Sequence, residues 1–241
     1  MATTKTAIVT GASNGIGLGV TTALLEHGYR VAANSRQITQ AGTLIASANL
    51  ILVDGDIAQP ETARSVVETA VRRFGSVDLL VNNAGISIPK PFTDYTTKDF
   101  DRLVSTNLAG FLYVTQQVVR QMRTQGAGHI VNITTSLANQ PIAGVSAAIP
   151  ILTKGGLNAL TAALAIDFAG EGIRFHAIGA GIIDTLMHKP ETHEFLKSHH
   201  PIHRIGRLSE IVDAVLYLTA DATFVTGEVL HVDGGAHACK W

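Results

Sequence analysis

A short apolar run, Thr6-Ala7-Ile8-Val9-Thr10, passes directly into Gly11-Ala12-Ser13-Asn14-Gly15-Ile16-Gly17 and then into a helical pattern that runs to Leu25. Strand, glycine-rich turn and helix in that order narrow the fold more than any other stretch of the chain. Gly11 permits the tight turn, Gly15 lets the backbone approach a pyrophosphate, and Gly17 lets the helix pack closely, while the helix N-terminus attracts phosphate. A glycine turn by itself often serves only chain reversal. Its placement between strand and helix assigns Gly11, Ser13, Asn14, Gly15, Ile16 and Gly17 to a dinucleotide cofactor.

The same grammar repeats down the chain. Runs predicted as strands are Thr6 to Thr10, Arg30 to Asn34, Leu50 to Val53, Leu79 to Val81, His129 to Ile133, Arg174 to Ile178 and Val229 to Val232. Helical spacing fills Ile16 to Leu25, Ala63 to Val71, Phe100 to Met122 and Leu157 to Phe168. Strands alternating with helices predict an α/β fold in which crossover helices cover both faces of a doubly wound parallel sheet. With 241 residues, 46% of them hydrophobic, the chain is read as one domain, 1–241. The polar stretch Asp184 to Arg207 breaks the alternation and is predicted to form a substrate cap, 184–207, over the carboxyl edge of the sheet.

Composition removes several classes of function. A formal net charge of −1 lacks the basic footprint of a nucleic-acid binder, so a small-molecule substrate is expected. No uninterrupted apolar stretch approaches the roughly 20 residues of a membrane helix, and no signal-peptide pattern opens the chain. The single cysteine, Cys239, forms no intrachain disulfide and fits a reducing compartment, hence a cytoplasmic expectation.

The end of the second strand reports on cofactor type, because an acidic residue roughly 20 positions after the glycine turn binds the ribose hydroxyls of NAD. Here the sequence is Ala33-Asn34-Ser35-Arg36. Ser35 leaves room for a phosphate and Arg36 supplies a planar cation to bind it, so NADP(H) is preferred over NAD(H).

With these residues in view, the chain resembles the classical short-chain dehydrogenase/reductases over nearly its whole length, and the resemblance implies a Rossmann-type fold and hydride transfer with a nicotinamide cofactor. Asp56-Ile57 resembles the pair that receives the adenine, and Asn82-Asn83-Ala84-Gly85 the turn after the fourth strand, which assigns Asn83, Ala84 and Gly85 to the cofactor. Asn107 resembles the helix asparagine that supports the catalytic water and lysine. Gly181-Ile182-Ile183-Asp184-Thr185 resembles the segment meeting the nicotinamide amide, with Gly181, Ile183 and Thr185 as contacts, although Ala180 stands where the family usually has proline.

The departure is chemical. In the family a serine, a tyrosine and a lysine one helical turn later act with the asparagine; lysine lowers the phenol's pKa and holds the nicotinamide ribose. Lys154 matches the lysine, but Pro150 stands where the tyrosine belongs. The serine role falls to Thr135, with Ser136 as the competing assignment. Proline is tolerated in a helix's first turn, yet its ring carries no proton.

Three readings stay open. Water, Thr135, Ser136 or a cap histidine replaces the phenol in carbonyl reduction; or the substrate is an imine protonated before hydride arrives; or the protein binds NADP(H) as a regulatory or inactive module. Retention of Asn107 and Lys154 favours catalysis. Pro150, Met187 and His188 are the candidate substrate-pocket residues. The cap carries His188, His193, His199, His200 and His203 without zinc-ligand spacing, so no metal is expected and a histidine role in substrate contact or proton delivery is preferred. The family resemblance implies a homodimer or homotetramer, formed by the apolar helices Phe100 to Met122 and Leu157 to Phe168.

Overall fold

A computed structural model describes residues 4–187, 190–220 and 222–238. Seven parallel strands form one sheet: β1 (Thr6–Thr10), β2 (Arg30–Ser35), β3 (Leu50–Asp54), β4 (Leu79–Asn82), β5 (Gly128–Thr135), β6 (Ile173–Ala180) and β7 (Val229–Val232). Their order is β3-β2-β1-β4-β5-β6-β7. The chain therefore reverses its winding between β1 and β4, where open α/β sheets leave a crevice at the strands' carboxyl ends.

Every residue of β1 is buried, because helices cover both faces of a central parallel strand. Ala7 and Val9 face α1 (Gly15–Glu26), with Val20 and Leu24 opposite them; Ile8 faces the other layer, which holds Val66 and Ala70 of α2 (Pro60–Phe74). Pro60 starts α2 and Gly75, at φ 87°, ends it in the left-handed conformation that glycine alone adopts without strain. Burial of each large aliphatic side chain in these layers contributes roughly 1.5–3 kcal/mol.

The helical pattern Phe100 to Met122 is three connected pieces. A capping box between Thr96 and Asp99 opens α3 (Thr97–Val104), a π-helical turn follows over Ser105–Ala109, and α4 (Gly110–Gln125) completes it. Next comes α5 (Ala148–Phe168), which starts well before the predicted Leu157 and carries Pro150 as its third residue. With its short 3-10 continuation to Glu171, this helix is long and apolar enough to span a membrane by length and composition alone, although no uninterrupted apolar run of that length lies within it. Lys154 and Asn158 interrupt the apolar run without stopping the helix. Its Leu157, Thr161 and Ala165 are buried on the side that packs against β5 and β6.

The β2–β3 and β6–β7 crossovers differ in kind. Between β2 and β3 no helix forms; residues 36–49 make turns anchored by Ile38, which is fully buried, and by Thr39, whose backbone N–H donates to Asp54 Oδ1 at 3.0 Å. Before β7 an unpredicted helix, α7 (Leu208–Ala220), packs beside α1, burying Ile211, Val215 and Leu218. Between β6 and α7 runs the predicted cap, with a short α6 (His193–Lys197). His188 and Cys239 lie outside the described residues.

Candidate active site

A cleft of about 780 Å3 follows the carboxyl edge of the sheet at the reversal point, from the glycine turn to the cap. Gly11, Ser13, Asn14, Gly15 and Ile16 line one end. A Cβ on Gly17 would fall 2.3 Å from Gly11 O, so only glycine lets α1 sit this close beneath the turn. Asn14 caps α1 without a side-chain hydrogen bond, and no acidic residue stands in the first turn. The helix therefore offers unpartnered N–H groups and the positive end of its dipole, a fit for pyrophosphate.

Ser35, Arg36, Asp56 and Ile57 line the cleft beyond this turn. Asp54, in register with Ser35, is instead held by Thr39, whose hydroxyl and backbone N–H keep its carboxyl below the usual range. Asp56 is thus the carboxylate among the described cleft residues.

The turn after β4 is tied to the glycine turn by hydrogen bonds. Asn83 Nδ2 donates to Thr10 O at 2.9 Å and to Gly11 O at 3.2 Å, while the backbone N–H groups of Asn83 and Ala84 donate to Thr10 Oγ1 at 3.1 and 3.0 Å. The Asn83 side chain is thereby spent on shaping the cofactor loop. Asn83, Ala84 and Gly85 all line the cleft, as do Gly181, Ile183 and Thr185 at its far end.

At the reacting end, Asn107 sits in the π-helical turn with 3% exposure. Its Oδ1 accepts from Ile86 N at 2.9 Å, and its Nδ2 donates to Ile86 O at 3.0 Å and to Thr153 Oγ1 at 3.1 Å. Single π turns are frequent at functional sites, and this one carries the asparagine that fastens the loop after β4 to α5. Lys154 borders both the cleft and a void of about 10 Å3 shared with Asn107, about one water in size. Loss of hydration brings the Lys154 ammonium down to about 8.

Thr135 ends β5 and accepts Leu137 N on its Oγ1 at 3.3 Å; Ser136 follows with 3% exposure, and both line the cleft. Pro150 is buried in the cleft wall one turn before Lys154. Its missing N–H belongs to a helix's first turn, where no intrahelical partner is required. Pro150 thus occupies a helix position suited to proline, and none of the described residues lining the cleft is a tyrosine. Met187 lines the cleft at 67% exposure.

Several cleft residues were not singled out from sequence. Arg102 of α3, Ser146 four residues before Pro150, and Phe195 of α6 line it. Of the cap histidines, His199 and His200 line it and are 8% and 3% exposed. The polar break in the alternation signalled the cap, but nothing local marked this pair.

Comparisons with known proteins agree with this geometry. Residues 11–237 match the family model described as Enoyl-(Acyl carrier protein) reductase. The chain is 35% identical to 2-(R)-hydroxypropyl-CoM dehydrogenase of Xanthobacter autotrophicus, covering 95% of this chain and 97% of that protein. It is 31% identical to the 3-oxoacyl-[acyl-carrier-protein] reductase FabG of Staphylococcus aureus, covering 98% and 100%. Among solved structures, ElxO with NADP bound superposes with a TM-score of 0.90 at 28% identity, covering 98% and 100%. The 3-ketoacyl-(acyl-carrier-protein) reductase of Brucella melitensis complexed with NADH gives 0.89 at 28%, covering 97% and 98%. A family model spanning most of the chain, together with oxidoreductase relatives matched along nearly their full lengths, shows that this chain belongs to the classical short-chain dehydrogenase/reductase family.

Proposed function

We propose that the chain is an NADP(H)-dependent reductase of a small carbonyl compound, with proton delivery from a group other than residue 150. The observation that carries this reading is the pairing of an intact Asn107–Ile86–Lys154 end with Pro150 in the cleft wall. When bound, NADPH supplies the hydride. Lys154 holds the nicotinamide ribose and contributes positive charge beside the developing alkoxide. Thr135 and Ser136 orient the carbonyl oxygen, and one of these hydroxyls, a water between them, or His199 hands over the proton.

NADP(H) is favoured over NAD(H) by Ser35 and Arg36 at the cleft and by the engagement of Asp54 with Thr39. An imine is the weaker substrate class. A protonated iminium would lie near the Lys154 cation, and Asp56, the carboxylate among the described cleft residues, belongs to the adenine end. A second reading, an NADP(H)-binding regulatory or inactive protein, is favoured by Pro150 alone.

NADPH oxidation measured over a panel of ketones, aldehydes and cyclic imines tests the proposal. Turnover of ketones or aldehydes supports it, turnover of imines alone moves the substrate class, and tight NADPH binding with no turnover of any class leaves the inactive binder.

A homodimer or homotetramer accompanies this reading, because α5 exposes Leu152 and Ile166 at 58% and 81% along a face that also carries exposed Gly156, Ala159 and Ala163. Solution sizing of the protein and of Ile166→Glu tests it, and a monomeric wild type overturns it. A reducing, cytoplasmic setting accords with the single cysteine.

A further inference from the structure

His200 stands behind the strand end that the proposed function gives to the nicotinamide. Ile182 N donates to His200 Nε2 at 3.1 Å. A Cβ on Gly181 would lie 2.8 Å from that same nitrogen, so glycine at 181 is what lets the imidazole edge rest on the backbone. Gly234, at φ +59°, lies beside the base of the same side chain: a Cβ there would lie 3.4 Å from His200 Cβ. Gly181 N also donates to Val232 O at 3.0 Å, which leaves the next N–H, that of Ile182, to the histidine.

Because Nε2 accepts a hydrogen bond, the neutral ring carries its proton on Nδ1. A second proton would have to enter at Nε2. It would then face the Ile182 N–H, placing donor against donor and removing the bond that orients the segment.

We propose that His200 is a positioning residue for the nicotinamide end of the cofactor: neutral, it holds Gly181-Ile182 so that Ile183 and Thr185 line the cleft, and its protonation releases them. This rests on the dinucleotide reading of the cleft. The groups that act on the imidazole come from each side. Burial is the largest effect and keeps its pKa below the ordinary 6.5; the Leu196 carbonyl and the Asp233 carboxylate oppose that, whereas His199 and Arg204 reinforce it. Asp233 is itself engaged by the backbone and ring of His237 at 2.8 and 2.9 Å. The neutral ring thus prevails near neutrality and the release belongs to acid.

The test compares two ligands that share the adenosine 2′-phosphate end: NADPH, and 2′,5′-ADP, which has no nicotinamide. Binding of each is measured by calorimetry between about pH 7.5 and about pH 5, and the ratio of the two affinities cancels titration of the phosphate. In the wild type the advantage of NADPH falls by about tenfold on acidification, the worth of one well-placed hydrogen bond. His200→Leu shows the reduced advantage at every pH with 2′,5′-ADP binding retained. His200→Gln, whose amide oxygen accepts but does not titrate, recovers most of what leucine loses and flattens the pH dependence.

An acid-dependent ratio that is the same in wild type and His200→Gln overturns the proposal, as does parallel loss of both ligands in His200→Leu while His200→Gln behaves as wild type at every pH. Failure of both ligands to bind the wild type overturns the dinucleotide reading itself.

Discussion

Asn107 Nδ2 donates to Thr153 Oγ1 at 3.1 Å, joining the π-helical turn to the first turns of α5. Both residues are buried, at 3% and 0% exposure. The threonine hydroxyl has one proton and two carbonyls within reach, Pro150 O at 3.1 Å and Ile149 O at 3.2 Å, so it accepts from Asn107 and donates to one of them. Lys154 follows directly, and the link therefore fixes where its ammonium stands relative to the loop after β4.

Thr153→Val keeps the shape and removes the acceptor, leaving a buried amide proton unpaired. A loss of about 1–3 kcal/mol in urea-unfolding stability is expected. Turnover falls with little change in KM, because cofactor and substrate contacts stay while the Lys154 geometry loosens. Unchanged stability together with unchanged turnover would show that this hydrogen bond has no effect on the site.

Pro150→Tyr restores a phenol one helical turn before Lys154, on the helix face where the lysine can lower its pKa. The position gains an N–H in the first turn, which needs no intrahelical acceptor. General acid catalysis is worth about 10² to 10⁴, and ketone reduction should rise toward that range in kcat. No gain in a folded variant that binds NADPH would mean that residues 136–149 direct the carbonyl away from position 150.

The strands were legible because buried parallel strands read as short apolar runs: β1 and β7 begin and end as expected, and the others extend by one to three residues. The glycine turn was legible because its steric demands are local; Gly17 tolerates no Cβ against Gly11 O. The π turn was not. Its extra residue leaves the apolar periodicity nearly intact, and what selects it is Asn107 reaching the Ile86 backbone 21 residues away.

Residues 36–49 carry Ile38 and Leu44 off helical spacing, and the Asp54 carboxylate takes Thr39 as the segment turns. Leu208, Ile211, Val215 and Leu218 did carry helical spacing, so α7 was readable and went unread beside the polar cap. Burial of His200 depends on the cap folding back onto Gly181 and Gly234, contacts between segments that no local pattern encodes.

Cofactor preference rests on the end of β2. Ser35→Asp places a carboxylate beside Arg36, where it repels a 2′-phosphate and accepts from ribose hydroxyls instead. NADPH binding should weaken by about tenfold or more and NADH binding should strengthen, a reversal readable in the ratio of kcat/KM for the two cofactors. A ratio that does not move would remove Ser35 and Arg36 from cofactor discrimination.

Acid stability should be governed by buried histidines, of which two pack together on β5 and β6. His129 and His176 pack edge to face at 4.9 Å on β5 and β6, and Arg174 Nη2 lies 3.4 Å from His129 Nδ1. The guanidinium also donates to Ala222 O at 2.5 Å, which ties β6 to the segment following α7. Burial, and then the Arg174 cation, hold His176 down to about 4, and burial, Arg174 and His176 hold His129 down to about 2. In the unfolded chain both titrate near 6.5. Above that value both states are neutral and the full stability is present; below it the unfolded chain takes up protons that the folded one refuses. Each histidine then removes about 1.4 kcal/mol per pH unit as pH falls toward its folded value. The Asp99 and Glu210 carboxylates are also depressed, but with ordinary values of 3.8 and 4.5 in the unfolded chain most of their effect falls below about pH 5. Urea unfolding between pH 7 and 5 therefore reads the histidines, and because burial also lowers His200 and His231, the wild-type slope falls by roughly a quarter to a half in His176→Gln. An unchanged slope in that variant would assign the acid sensitivity to another group, and His200, also buried and depressed, is the one to substitute next.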